Sequence, residues 1–374
     1  MNKKIKLITI VGTRPEIIRL SIIIKRCDEN FEHILVHTGQ NYDYELNEIF
    51  FEDLNVRKPN YFLNAAGKNL GHTIGNLIAS SFNLFQKLRP DALLVLGDTN
   101  SSLCIISAKR LKIPIFHMEA GNRCFNQNVP EEINRKIADH ISDINICYTE
   151  NSRKYLISEG FRKDHIFVSG SPLNEVLINF EKKISKSQIL NTLKIKPKKY
   201  IVASLHREEN LDLKENFENI IDAFSKIAKK YSLPIYFTTH PRTRKKLEKL
   251  NITNKDLIHF IKPLGFTDYI ALQKNGYFTL SDSGTIFEES AILKFPAVSV
   301  RDTTERPEAS ESGTIVIGNI NENSLIQSVE LLLKTHNQNL MEIPVEYSIK
   351  NVSTRILRLI QGYTEIINKE IWDK

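Results

Sequence analysis

The chain has 374 residues, 41% of them hydrophobic and 25% charged, so it holds more than one ordinary domain and has globular rather than disordered composition. Fifty-one basic residues against 44 acidic ones give a net charge of +7, but the lysines are scattered along polar connectors with no basic–aromatic interleaving, which argues against nucleic acid. Four widely spaced cysteines without a CxxC pair exclude a disulfide scaffold and a zinc ribbon, and no run approaches the ~18 apolar residues of a membrane span.

Short apolar runs then alternate with amphipathic stretches, the pattern of repeated strand–helix units. Lys6–Val11 reads as a buried strand, too short for a signal peptide, and points to a cytoplasmic protein. The helix Pro15–Cys27 follows, then the strand His33–Thr38 and a helix over Tyr44–Phe51. Strands at Ala92–Leu96, Ile113–Met118, Ile144–Thr149 and Ile166–Ser169 complete the first half. After a lysine-rich stretch, Glu181–Lys199, a second series runs through Tyr200–Ser204, Ile235–Thr239, Tyr277–Leu280 and Ala297–Val300. The amphipathic segment Ser353–Tyr363 crosses back to the first half. Polar motifs stand where strands stop, which is where open parallel sheets hold ligands. The architecture expected is α/β, with two doubly wound Rossmann-like domains facing a cleft. The first spans residues 1–175 and is completed by 353–374; the second spans 176–352.

Gly12-Thr13-Arg14-Pro15-Glu16 joins a strand to a helix, with Pro15 suited to the first helical position. Its amides and the Arg14 guanidinium offer an anion site. Asp282-Ser283-Gly284-Thr285 repeats that logic, with Ser283 as N-cap and phosphate ligand. Glu288 and Glu289 follow one turn later, reading either as a carboxylate that complements the helix start or as one that holds ribose hydroxyls. There is no GxGxxG and no Walker A sequence, so a nicotinamide dinucleotide is not expected. Asp98, Glu119 and Glu131-Glu132 bring carboxylates from three neighbouring loops towards one face, and His206 faces them from the other half. Such a set suits proton transfer, with one pKa raised by another carboxylate. Each of these residues alone reads more often as a cap or ion-pair partner than as a catalytic group. His117 reads as a hydrogen-bonded core histidine, His240 as a ligand contact or a strand-end turn, and no spacing suggests a metal. Arg301–Glu308 reads as a diphosphate or uracil clamp or as a solvated loop.

Six motifs together, Gly12–Glu16, Gly97-Asp98-Thr99, Glu119-Ala120-Gly121, Pro130–Arg135, Asp282-Ser283-Gly284 and Arg301–Glu308, resemble the non-hydrolysing UDP-N-acetylglucosamine 2-epimerase family. The resemblance covers essentially the whole chain. It implies a GT-B-like fold, no cofactor, UDP bound chiefly by the second domain, and a homodimer. It implies Asp98, Glu119, Glu131 and His206 as catalytic residues. It assigns Arg14, Arg19, His240, Ser283, Gly284, Thr285, Glu289 and Arg306 to UDP and substrate.

Departures mark a subgroup. Leu205–Glu209, Asn122, Thr285 and Arg19 differ from better-known members, and Asn41-Tyr42-Asp43 after Gln40 puts activation by substrate in doubt. His37–Phe51, Ala65–Ile74 and Met118–Phe125 look like the 2-epimerases that convert UDP-2-acetamido-2,6-dideoxy-L-talose to UDP-N-acetyl-L-fucosamine for capsule and O-antigen synthesis. Phe125 or Leu205 would supply apolar surface for a 6-deoxy sugar. The alternatives are a UDP-GlcNAc/UDP-ManNAc 2-epimerase, a hydrolysing 2-epimerase, a GT-B glycosyltransferase, or a non-catalytic nucleotide-sugar sensor that would lack the carboxylates.

Overall fold

The structure, a computed structural model, describes residues 4–39, 48–205, 207, 210, 214–239, 241–249 and 257–374. The chain divides into two compact units, Met1–Asn179 with Val345–Lys374, and Phe180–Pro344.

The first unit is built on seven parallel strands: β1 Lys6–Val11, β2 Glu32–His37, β3 Tyr61–Phe62, β4 Ala92–Leu96, β5 Ile115–Met118, β6 Ile144–Cys147 and β7 Ile166–Val168. Every residue of β4 is buried, so the strand is a continuous apolar run rather than an alternating one, as a sheet covered on both faces requires. The order β3-β2-β1-β4-β5-β6-β7 makes the chain wind outward from β1 and then return to its other side. The direction of winding across the sheet therefore reverses between β1 and β4, the position at which ligands bind in open α/β sheets. The return is made by a helix over Leu70–Leu88, opened by the Asn69 side chain accepting from His72 N and closed by Arg89 in the left-handed region. The sequence reading did not place this helix or β3. Gly71, Gly75, Ser80 and Ser81 blur the helical pattern, and two residues are too few to read as a strand.

The C-terminal helix Val352–Trp372 packs against the Arg14–Asn30 helix of the same unit. It buries Ile356, Ile360 and Ile367, and its first turn is anchored where Ser353 N and Oγ donate to Glu175 at 2.8 and 2.6 Å.

The second unit repeats the winding with β8 Ile201–Leu205, β9 Ile235–Thr239, β10 Ile258–Ile261, β11 Thr279–Ser281, β12 Ala297–Ser299 and β13 Val316–Ile317. Their order, β10-β9-β8-β11-β12-β13, puts its reversal between β8 and β11. Phe217, Ile220 and Phe224 from the Lys214–Tyr231 helix fill the core against Ile201, Ala203, Leu205 and Phe237. Strands β10 and β13 escaped the sequence reading because their short runs are interrupted by exposed positions. The helix expected over Tyr44–Phe51 is observed as Glu48–Asp53, its earlier residues lying outside the described ones.

Candidate active site

In the first unit the strand ends at the reversal carry the expected residues. Gly12 closes β1 where a Cβ would lie 2.0 Å from Thr38 Oγ1 and 2.2 Å from Ser101 Oγ, so only glycine lets the backbone pass. The amides beyond it do not stand open to an anion, contrary to the expectation from sequence. Glu16 folds back in a capping box and accepts from Gly12 N at 2.5 Å and Thr13 N at 3.0 Å, with Thr99 Oγ1 on its other oxygen. Those amides are thus taken by the helix's own carboxyl. Arg14 lies with its guanidinium 5.8 Å from the Phe50 ring centroid.

Burial pushes the Glu16 carboxyl up to about 7 from the ordinary 4.5, against the opposing pull of the hydrogen bonds from Thr99, Gly12 and Thr13. The folded state therefore holds this proton to a higher pH than the unfolded chain. The contribution to stability is complete below pH 4.5 and is lost as pH rises to about 7. The loss is about 3 kcal/mol over that window. Thermal melts from pH 4.5 to 7.5 are expected to show this slope in the native protein and not in Glu16→Gln; an identical slope in both would refute the assignment.

Asp98 follows β4, and Glu119 follows β5. The two strand ends are locked together by Gly97 N donating to Met118 O at 2.9 Å. Gly97 has φ +73°, and Glu119, a non-glycine residue, has φ +64°. Backbone strain of this kind, about 1–3 kcal/mol, persists where surrounding structure enforces it. Asp98 is gripped by Arg135 Nη2 at 2.7 Å and Nε at 3.0 Å, and Arg135 also reaches Glu132 at 3.0 Å. Glu119 pairs with Arg19, whose guanidinium lies 5.4 Å from the Tyr148 ring centroid. Arg19, expected to meet substrate, is thus buried as the partner of a carboxylate.

The helix Pro130–Ile141 supplies both remaining carboxylates, in different roles. Glu131 is half-buried in its first turn. Glu132 is buried and accepts from Cys124 N at 3.1 Å and Phe125 N at 3.2 Å. Burial would raise its pKa, but these bonds, Cys124 Sγ and the Arg135 charge hold it below the ordinary carboxylate value. Glu132 is a loop fastener rather than a proton carrier.

His117 is the buried, hydrogen-bonded histidine expected: its Nε2 meets Gly97 O at 2.9 Å. Phe125 is exposed and makes an edge contact with Tyr155. Leu205 is sealed in the second unit's core, which removes it from any sugar pocket.

In the second unit, Ser283-Gly284-Thr285 forms the turn after β11, and Thr285, not Ser283, takes the N-cap of the Ile286–Leu293 helix. Ser283 Oγ instead bonds Thr285 Oγ1 at 2.9 Å and accepts from Thr285 N at 3.3 Å. Around this turn stand two buried arginines. Arg306 Nη1 donates to Glu288 at 2.9 Å, and Arg301 Nη2 to Glu305 at 2.5 Å. Among the described residues, Arg301 Nε and Nη1 are buried without a hydrogen-bond partner, an expensive state that an anion would relieve. A Cβ on Gly284 would lie 2.6 Å from Glu305 Oε1 and 3.7 Å from Arg301 Nη1, so glycine brings the backbone against this cluster. Glu289, buried, accepts from Gln273 Nε2 at 2.8 Å. Glu288 and Glu289 thus each have a side-chain partner within the unit. His206 and His240 lie outside the described residues.

Sequence reasoning missed Arg135, Arg123 and Asp139 as parts of the site. Glu131, Arg135 and Asp139 recur every four residues on one face of the Pro130–Ile141 helix. That spacing was legible, but a polar stripe on a helix reads first as a solvated face.

Residues 25–361 match the family model of the UDP-N-acetylglucosamine 2-epimerases. A UDP-N-acetylglucosamine 2-epimerase homologue of Methanococcus maripaludis is 40% identical over 331 residues, covering 87% of this chain and 91% of that protein. The solved structure of a UDP-N-acetylglucosamine 2-epimerase from Rickettsia bellii is 46% identical with a TM-score of 0.92, over 99% of this chain and 100% of that one. The Methanocaldococcus jannaschii UDP-GlcNAc 2-epimerase, solved in complex with UDP-GlcNAc and UDP, is 36% identical with a TM-score of 0.90, over 95% and 99% of the two chains. With two doubly wound units and likeness along nearly its whole length, the chain belongs to the non-hydrolysing UDP-N-acetylglucosamine 2-epimerase family, isomerases of GT-B-like fold.

Proposed function

We propose that the protein inverts C2 of a UDP-2-acetamido sugar by eliminating UDP and adding it back. The observation that carries this reading is that Asp98 and Glu119 stand at adjoining strand ends of one unit, held by Arg135 and Arg19, with Arg135 carried on the helix whose first turn holds Glu131. C2 of such a sugar is not next to a carbonyl, so its proton is not acidic. As the C1–O bond to UDP breaks, oxocarbenium character at C1 acidifies it. A carboxylate takes the C2 proton, the C1=C2 double bond forms, and a 2-acetamidoglycal and UDP are left. The reverse addition, with protonation of C2 from the opposite face, completes the inversion.

Asp98, Glu119 and Glu131 are the carboxylates assigned to these transfers, with His206 assisting. In the second unit, Ser283, Gly284, Thr285 and Arg306 are assigned to the diphosphate, Glu289 to the ribose and His240 to the nucleotide. Arg14 adds positive potential for the leaving group. The unpartnered Arg301 nitrogens support the diphosphate assignment.

The sugar we assign is UDP-2-acetamido-2,6-dideoxy-L-talose, giving UDP-N-acetyl-L-fucosamine for capsule or O-antigen synthesis. Support comes from the subgroup segments around His37, Ala65 and Met118. The second reading, UDP-GlcNAc to UDP-ManNAc, is favoured by the names of the similar proteins. A cytoplasmic homodimer belongs to the same proposal, and sedimentation equilibrium checks the dimer.

The test is incubation with each UDP-sugar in deuterated water without NAD, followed by proton NMR at C2. Deuterium at C2 together with a new epimer is the expected result, and the faster substrate decides between the two sugars. If UDP binds and neither sugar exchanges, the reading fails in favour of a glycosyltransferase.

A further inference from the structure

The three carboxylates proposed for catalysis come from three separate segments, and one buried residue is linked to each of them, directly, through His117 or through its own helix. Asp139 lies two turns beyond Glu131 on the same helix and is fully buried. Its two oxygens each accept from Gly121 N at 3.2 Å, in the turn directly after Glu119. Its Oδ1 lies 3.1 Å from His117 Nδ1, an ion-pair approach rather than a well-aligned hydrogen bond. The other ring nitrogen of His117 meets the carbonyl of Gly97, the residue before Asp98, at 2.9 Å. Arg123 Nη1 completes the set at 2.6 Å from Asp139 Oδ2 and passes the charge on to Glu159 at 2.7 Å.

Both His117 nitrogens face oxygen acceptors, and that arrangement suits the imidazolium, which has two N–H donors and no acceptor. Burial pulls its pKa down, but Asp139, then the Gly97 carbonyl and Asp98, raise it above the ordinary histidine value. The charges close: His117 and Arg123 against Asp139 and Glu159. On the remaining strand packed here, Cys147 is held neutral, its thiol pushed up by burial.

We propose that Asp139 is the positioning residue of the active site: through His117 it fixes the Gly97 carbonyl and so Asp98, through Gly121 the strained turn of Glu119, and through its own helix Glu131. This rests on the epimerase reading above. Asp139 touches no substrate; it sets where the proton-transfer groups stand. Misplacement on the scale of 1 Å lowers rates about 100-fold.

The test uses the full chain and the C2 exchange assay. Asp139→Asn keeps size and an acceptor oxygen but removes the charge. Its kcat is expected to fall roughly 10- to 100-fold, with KM for the UDP-sugar and affinity for UDP within about threefold. Having lost its counter-ion, His117 then titrates at lower pH, so the alkaline limb of the kcat profile moves down in pH. A companion pair separates geometry from folding. His117→Gln can still donate to Gly97 O and is expected to keep at least tenfold more kcat than His117→Leu.

Native kcat and pH profile in a folded Asp139→Asn overturn the proposal. So does equal activity of His117→Gln and His117→Leu, which decides the matter even if the Asp139 variant does not fold. A native protein that exchanges no C2 proton refutes the epimerase reading instead, so the two failures are distinguishable.

Discussion

Asp98→Asn is expected to slow C2 epimerisation by about 100- to 10,000-fold while leaving UDP affinity nearly unchanged. The asparagine fits the same space, and Arg135 remains tied to Glu132 at 3.0 Å, so the helix start keeps its anchor. What disappears is a carboxylate able to take or return a proton, together with the two short contacts from Arg135 that hold it in place. The residues proposed to hold the diphosphate, around Ser283 and Arg306, belong to the second unit, so binding and chemistry are expected to separate in the measurement. Deuterium incorporation at C2, set beside calorimetric titration with UDP, reads both quantities. An Asp98→Asn protein with native exchange would leave proton transfer to Glu119 and Glu131 alone. A variant that loses UDP affinity in proportion to rate would show Asp98 to be a binding group.

Arg123→Met is expected to have the largest effect on stability. The guanidinium is fully buried and serves four acceptors: both oxygens of Glu159 at 2.7 Å, Asp139 at 2.6 Å and the Asn122 carbonyl at 2.7 Å. Methionine replaces the stem but strands two carboxylates, one of them wholly out of water. Breaking a buried pair from one side costs about 3–5 kcal/mol. For a unit of this size that lowers the melting temperature by roughly 10 °C. Because His117 still faces Asp139, the double variant Arg123→Met/Asp139→Asn should lose less than the two single changes together. Thermal denaturation of the four proteins completes the cycle. A loss below about 1 kcal/mol in Arg123→Met would mean that water reaches Glu159 and relieves it.

Much of this molecule was legible without coordinates, for definite reasons. Buried parallel strands must be apolar throughout, so β1, β4, β9 and β12 announce themselves as short runs. The strands β1, β4, β5 and β11 are followed by glycine or polar residues, and in a doubly wound sheet those positions hold ligands, which is why Gly12, Asp98, Glu119 and Ser283 could be named from sequence. The two-residue β3 and the half-exposed β10 and β13 lack that signature.

What the sequence could not decide was which polar residue meets which. Glu16 reads as a helix-start acid, but only the turn at Gly12 makes it the occupant of the amides offered to an anion. Glu131 and Glu132 are identical neighbours in sequence, yet a rotation of about 100° along the helix leaves one half-exposed and buries the other beneath a loop. Leu205 looks like pocket lining until its strand is packed into a core. Asp139, 18 residues from Gly121 and 42 from Gly97 by number, meets the first directly and the second through His117 because β4 and β5 lie side by side. Local sequence fixes the period and the turn chemistry; partners across long loops are chosen by topology, and burial then makes each of those pairings costly to break.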